Sequence, residues 1–256
     1  MKAVIFAGGL GTRLSEETAS IPKPMVEIGG KPIILEIMEI YSKFGVKEFV
    51  ILLGYKGDIL KKYFRDLHLN LSDLEIDFAN NQISSLNQKD LGWKVTLIDT
   101  GKLTMTGCRL HKSKHLLDGN DFFLTYGDGL ANVDIHSLKE FHKKQNKILT
   151  MTSVQPDGRF GSFESDEKGL VRRFLEKPKG DGSWINGGFF VCSPRIFDYV
   201  YQDEQLVFEQ QPMQRLAEDG ELVEFKHNGF WKCMDTLKDK NDLNDLAALP
   251  NPPWKA

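Results

Sequence analysis

The sequence predicts an α/β fold with a doubly wound, mainly parallel sheet. Two observations carry that expectation. Short apolar runs alternate with segments of helical periodicity through the first ~145 residues. Two glycine-containing segments, Gly8-Gly9-Leu10-Gly11 and Tyr126-Gly127-Asp128-Gly129, each follow an apolar run directly. In such sheets ligands bind at the carboxyl ends of the strands, so both segments are expected to line one crevice.

The elements follow in order. Residues 2–7 read as a short buried strand and residues 8–13 as a glycine-rich loop. Residues 32–44 place Ile33, Ile34, Ile37, Met38 and Tyr41 at helical spacing, and Gly45 ends that helix. A strand is expected over 48–53. The helix over 58–69 gathers Ile59, Leu60, Tyr63, Phe64 and Leu67 on one side. Strands follow at 94–99 and 121–125, and a third helix at 135–145. The later part is less regular: strands are expected at 149–155, 162–164, 170–174 and 187–192, and helices at 210–218 and 237–246. Residues 80–91 are polar and aperiodic, which reads as a long loop or an interface excursion. Residues 250–253 open a proline-rich tail. No repeat, low-complexity stretch or linker interrupts the chain, so one domain over 1–256 is expected. Its halves would be about 1–145 and 146–256.

The 256 residues carry a net charge of -3, with 41% hydrophobic and 27% charged residues. That is enough apolar content for a sizeable core. It offers no basic field for nucleic acid and no polybasic patch for a membrane. Any anionic ligand must then be held by a few local cations and backbone N–H groups. The N-terminal apolar run is too short for a signal peptide and is interrupted by Gly8-Gly9. No stretch has the length of a transmembrane helix. Cys108, Cys192 and Cys233 are sparse, odd in number and far apart, which points to reduced thiols in the cytoplasm.

The densest chemistry lies in Gly8-Gly9-Leu10-Gly11-Thr12-Arg13 and Pro22-Lys23-Pro24. Glycines after a strand let backbone N–H groups approach a phosphate or a base. Arg13 offers a planar fork for phosphate oxygens and Lys23 a point charge. Prolines on both sides stiffen the backbone that carries Lys23. The spacing fits neither the dinucleotide fingerprint nor a P-loop. By themselves these residues also fit a glycine turn with surface cations. Asp128 fits a turn, Asp235 an N-terminal helix cap, and Glu176-Lys177-Pro178 a solvated turn. His111 and His115, four apart, read as a solvated helix face.

The string G-G-x-G-T-R-L followed by P-K-P resembles the signature of the sugar-phosphate nucleotidyltransferases. The likeness continues through Met105-Thr106-Gly107, Thr125-Tyr126-Gly127-Asp128-Gly129, Glu176-Lys177-Pro178-Lys179, Ile185-Asn186-Gly187-Gly188 and Met234-Asp235-Thr236. It is strongest to the branch that uses CTP and glucose 1-phosphate to make CDP-glucose and pyrophosphate. The resemblance implies a Rossmann-like fold with a smaller, irregular sugar-binding part. It implies that Gly8, Gly9, Gly11 and Thr12 hold the nucleotide. Arg13 would bind the leaving pyrophosphate, and Lys23 would neutralise charge at the α-phosphate. It places Thr104, Thr106 and Arg109 near the base and its phosphates, and Glu176, Lys177, Asn186 and Gly187 on the sugar phosphate. It gives Asp128 and Asp235 a Mg²⁺ ion. It further implies a homo-oligomer, since the family includes hexamers, and residues 80–91 and Trp254 are the expected contacts. Cys108, Phe6 and Ile21 depart from the pattern: a side chain at 108 is expected to crowd the ligand, and Ile21 removes a cation. Another base, another sugar 1-phosphate such as a heptose phosphate, or a non-catalytic nucleotide-sugar sensor are the alternatives on the same fold.

Overall fold

The computed structural model describes residues 1–87, 90–117, 119–156, 158, 161–176, 179 and 183–256. Its strands are β1 (Ala3–Ala7), β2 (Glu27–Ile28), β3 (Lys31–Pro32), β4 (Glu48–Leu53), β5 (Asp73–Asp77), β6 (Gln82–Leu86), β7 (Lys94–Asp99), β8 (Phe122–Tyr126), β9 (Gly129–Ala131), β10 (Leu149–Val154), β11 (Ser162–Ser165), β12 (Val171–Leu175), β13 (Ile185–Cys192), β14 (Leu222–Lys226) and β15 (Trp231–Cys233). Its helices are α1 (Ser15–Thr18), α2 (Ile33–Lys43), α3 (Gly57–Asn70), α4 (Thr106–Lys112), α5 (Ile135–Gln145), α6 (Gln211–Glu218) and α7 (Leu237–Ala247).

Seven strands form one sheet in the order β14-β10-β13-β8-β1-β4-β7. β1 runs parallel to β4 and β8, β4 to β7, and β10 to β14, while β13 is antiparallel to both its neighbours. The mainly parallel sheet expected from the sequence is therefore present. Strands from both halves of the chain share it.

Alternate side chains of each strand feed two cores, as the period of two requires. Ala3, Ile5 and Ala7 of β1 join Ile33, Ile37, Met38 and Tyr41 of α2 on one face. Val4 and Phe6 join Cys108 and Leu110 of α4, Phe208 and Leu216 on the other. Both faces are covered, which explains why β1 and β4 read as unbroken apolar runs.

The chain leaves β1 toward β4 and β7 on one side, then returns to β8 on the other. The carboxyl ends of β1 and β8 therefore flank the point where strand order reverses, and the two glycine segments lie there.

Three expectations need correction. Residues 80–91 are not a loop throughout, because β6 pairs with β5 in an antiparallel hairpin that opposes Ile76 to Ile83. The alternation of Leu74 and Ile76 among charged residues was the overlooked signal. Trp254 does not face outward. It is buried against Phe230, its centroid 5.9 Å away, and its Nε1 donates to Glu36 Oε2 at 2.9 Å. The Cys108 side chain packs into the core under α4 and does not crowd the cleft.

Candidate active site

The glycine loop turns directly out of β1. Gly11 has φ +66°, and a Cβ there would stand 2.7 Å from Thr18 Cγ2, so only glycine suits the turn. Thr12–Leu14 then form a short 3-10 turn that presents Thr12 and Arg13. Lys23 opens a second such turn, entered from Pro22 in extended geometry and continued by Pro24. Gly9, Gly11, Thr12, Arg13, Lys23, Pro24, Thr106, Tyr126, Gly127 and Asp128, with Phe6 and Ala7 behind them, enclose a cleft of about 310 Å³.

Strand register brings the two aspartates together. β9 pairs with β15 so that Gly129 opposes Cys233, and Met234 N donates to Asp128 O at 2.8 Å. Asp128 and Asp235 thus leave adjacent strand ends on the same side of the cleft. Asp235 is not the cap of α7. Thr236 fills that role in a capping box with Asp239, which leaves the Asp235 carboxylate for the cleft.

There Lys23 Nζ donates to Asp128 Oδ2 at 2.6 Å and to Asp235 Oδ1 at 2.8 Å. Arg13 Nη1 donates to Asp235 Oδ2 at 2.7 Å from a side chain that is 74% exposed. Burial opposes the charge on Lys23, but the two carboxylates outweigh it and raise its pKa. Burial likewise opposes ionisation of Asp235, yet Lys23 and Arg13 hold its carboxyl below the ordinary range. Beside them the Cys233 thiol is pushed up to about 12, by burial first and then by Asp235 and Asp128.

Behind the loop, Arg109 is buried and its guanidinium is spent on backbone carbonyls. Nη1 donates to Leu53 O and Gly101 O, both at 2.8 Å, and to Thr100 Oγ1 at 2.5 Å. Nη2 donates to Gly8 O at 2.9 Å. A Cβ on Gly8 would meet Arg109 Nη1 at 2.3 Å. Arg109 therefore pins the ends of β1, β4 and β7 to one another. Thr104 is buried in the same layer, its single hydroxyl proton shared between Thr100 O at 2.7 Å and the Glu204 carboxylate.

Another side of the cleft is lined by two hydroxyl residues, Tyr126 and Thr106, which are tied together by Glu209. Tyr126 OH donates to Glu209 Oε1 at 2.6 Å, and Thr106 Oγ1 donates to Glu209 Oε2 at 2.7 Å. Asn186 Nδ2 donates to Tyr126 OH at 3.3 Å. Gly187 lies next in β13, its carbonyl accepting from Trp231 Nε1 at 2.7 Å. Glu176 follows β12 on an exposed hairpin, and Lys177 lies outside the described residues. Sequence reasoning gave no role to Tyr126 and passed over Glu209. Tyr126 stood inside a quoted motif, whereas Glu209 follows Phe208 in a stretch without period.

The nucleotidyl transferase family model matches residues 2–244. The chain belongs to the nucleotidyl transferase family. It is 50% identical over 256 residues to the glucose-1-phosphate cytidylyltransferase of Salmonella typhi, covering 100% of this chain and 99% of the relative. It is 43% identical over 255 residues to a Bacillus subtilis protein named probable glucose-1-phosphate cytidylyltransferase, with 100% and 99% coverage. A solved UDP-glucose pyrophosphorylase shares the fold at TM-score 0.66 and 15% identity, over 95% of this chain and 97% of that one.

Proposed function

We propose that the protein transfers a cytidylyl group from CTP to glucose 1-phosphate, giving CDP-glucose and pyrophosphate. The observation that carries this reading is 50% identity along the whole chain to an enzyme of that name. The Lys23, Arg13, Asp128 and Asp235 cluster supports the reaction class.

The attacking group is a phosphate oxygen of the sugar phosphate, already anionic at neutral pH. No general base or protein nucleophile is required. The chain must align two polyanions in line and neutralise charge on the leaving pyrophosphate. Lys23 would meet the α-phosphate and Arg13 the pyrophosphate, a reading supported by their lining one cleft with Gly9 and Gly11 of the glycine loop.

The residues also fit a Mg²⁺ ion. Asp128 and Asp235 aim their carboxylates at one point, now held by the Lys23 ammonium. Hard carboxylates with phosphate oxygens suit that ion. The four side chains sum to zero charge, which by itself gives no attraction for a triphosphate. A divalent cation on the aspartates would supply the missing positive charge and orient phosphate oxygens. Lys23 would then be released toward the nucleotide.

Assembly as a homo-oligomer in the cytoplasm completes the reading. Exposed apolar residues on the two hairpins support self-association, with Phe78 at 89% exposure, Ile83 at 62% and Phe163 at 63%. No helix among the described residues is long and apolar enough to cross a membrane. Pyrophosphate release measured with each nucleoside triphosphate and a panel of sugar 1-phosphates tests the substrates. CTP with glucose 1-phosphate is expected to lead, and faster turnover with UTP or dTTP would overturn the base. A monomeric mass in solution would overturn the assembly.

A further inference from the structure

We propose that Trp254 and Glu36 form a latch that positions Asp128 and Asp235, so that the tail of the chain sets the geometry of the charged cluster in the cleft. The chemical value of the two aspartates rests on the function proposed above. The latch itself rests on contacts of the tail.

Both aspartates flank a weak element. β9 and β15 have three residues each and form a two-stranded ribbon outside the seven-stranded sheet. An isolated two-stranded ribbon is marginal in water, so its shape must be imposed by what it touches. Trp231 Nε1 ties it to Gly187 O at 2.7 Å, and Lys232 Nζ donates to Asp242 Oδ2 of α7 at 2.8 Å. The end remote from the aspartates is closed by Asn132 N donating to Phe230 O at 3.1 Å. There the indole of Trp254 packs on Phe230, and the turn Pro253–Lys255 packs on β9.

The other half of the latch is α2. Glu36 is 4% exposed, and both its carboxylate oxygens are engaged. Oε2 accepts from Trp254 Nε1 at 2.9 Å, while Oε1 faces Lys31 Nζ at 3.0 Å and Lys255 Nζ at 3.1 Å. Burial opposes its charge, yet Trp254 and then Lys31 hold its carboxyl below the ordinary range. Farther along α2, Lys43 Nζ donates to Ala256 O at 2.7 Å. The same helix packs against β9 and against the turn Lys23–Met25, and Ile33 N donates to Val26 O at 3.0 Å. α2 therefore touches both partners of the cluster, the Lys23 turn and the aspartate ribbon. A buried carboxylate is costly, and an apolar pair of similar volume would brace the tail at least as firmly. What the carboxylate adds is direction: its bond fixes the orientation of the indole, and with it the face that meets Phe230.

The test is site-resolved alkylation of the protein without ligand. Cys233 ends β15 and lies 3.5 Å from Asp235 Oδ2, whereas Cys108 and Cys192 are buried under the main sheet. Trp254→Phe keeps an aromatic ring for Phe230 but removes the donor to Glu36. Losing a hydrogen bond to a charged group should free the ribbon roughly tenfold, read as faster iodoacetamide labelling of Cys233 with Cys108 and Cys192 unchanged. In a turnover assay the same variant should need several-fold more Mg²⁺ for half its maximal rate, with KM for glucose 1-phosphate near the parent value. Glu36→Gln keeps the shape and removes the charge that Lys31 and Lys255 face. It should act in the same direction and carries the test if Trp254→Phe fails to fold. Faster labelling of all three cysteines together would reveal a brace for the whole fold, and an unchanged Cys233 rate would reveal a tail that the ribbon does not feel; either result overturns the latch. A freed ribbon with turnover and Mg²⁺ response unchanged would overturn its positioning role. A parent that makes no CDP-glucose would overturn the substrate reading alone, because the labelling needs no substrate.

Discussion

The two ends of the cleft solve opposite problems. At the phosphate end, two cations and two carboxylates cancel one another through contacts of 2.6 to 2.8 Å. At the hydroxyl end, one carboxylate is ringed by neutral donors. The first is a balanced cluster whose charges must be shared out again when an anionic ligand arrives, because its net charge is zero. The second is preformed and needs no rearrangement. Full charges are worth keeping paired until a charged partner replaces them, because an unpaired buried charge is costly. The Glu209 carboxylate is instead held by two hydroxyl donors in place of a cation.

Removing charge from the phosphate end gives the largest expected effect. Asp128→Asn keeps size and one acceptor oxygen, but it takes away an anion that would hold the metal. Turnover should fall about 10²–10³-fold, the usual loss for one such electrostatic contribution, and the response to Mg²⁺ should weaken. The fold should persist, because Asn suits a turn between two strands. Initial rates across a Mg²⁺ titration measure both effects. Turnover near the parent rate would make Asp128 a turn residue and leave the balance of charges without a catalytic purpose.

The contrast also marks what the sequence could reveal. The phosphate end was legible because its residues sit in short strings with fixed chemistry, Gly8 to Arg13, Lys23 between prolines, and Asp128 between glycines. The pairing of Asp128 with Asp235 was not, since it depends on the register of β9 and β15, two three-residue strands. Asp235 also stood where a cap was plausible, and only the capping box of Thr236 with Asp239 resolved it. Glu209 belongs to an irregular segment that reaches Thr106 and Tyr126, and irregular segments have no period to read. In the fold, β4 and α5 match their expected bounds because burial and local pattern agree there, and β7 matches on its apolar alternation although none of its residues is fully buried. β14 went unnoticed as a five-residue strand that is only half-buried. α4 begins with Thr106 and Gly107, poor helix formers, and its first turn is held by the carbonyl of Leu206.

Arg109 sharpens the comparison because it serves both ends from behind. Its fork ties Gly8, Leu53 and Gly101 carbonyls, and its helix carries Thr106. Arg109→Lys keeps the charge but cannot reproduce the fork. Buried carbonyls left without a donor should cost about 2–3 kcal/mol. In a chain of this size that lowers Tm by about 5–10 °C, read by thermal unfolding without ligand. An unchanged Tm together with a raised KM for CTP would instead place the guanidinium on the nucleotide in the working enzyme, as the family resemblance implies.

The smallest effect reads the charge balance without catalysis. Cys233 lies 3.5 Å from Asp235 Oδ2, and its thiol is raised to about 12 by burial first and then by the Asp235 and Asp128 carboxylates. The thiolate is the reactive form, so alkylation of the folded protein at pH 8 should be roughly a thousandfold slower than that of a free cysteine, given a shift of this size from the ordinary range. Cys108 and Cys192 are fully buried in the core and should stay silent until unfolding. Asp235→Asn removes one negative neighbour, so the thiol pKa falls and the rate at fixed pH rises. The rise should be only several-fold, because burial, the larger cause, is untouched. Mass spectrometry of iodoacetamide-treated protein over a pH series follows each cysteine separately. A rate for Cys233 that is indifferent to Asp235→Asn would mean that the carboxylate charge is already neutralised by Lys23 and Arg13 as seen from the thiol, and that the phosphate end is closed even more tightly than its distances indicate.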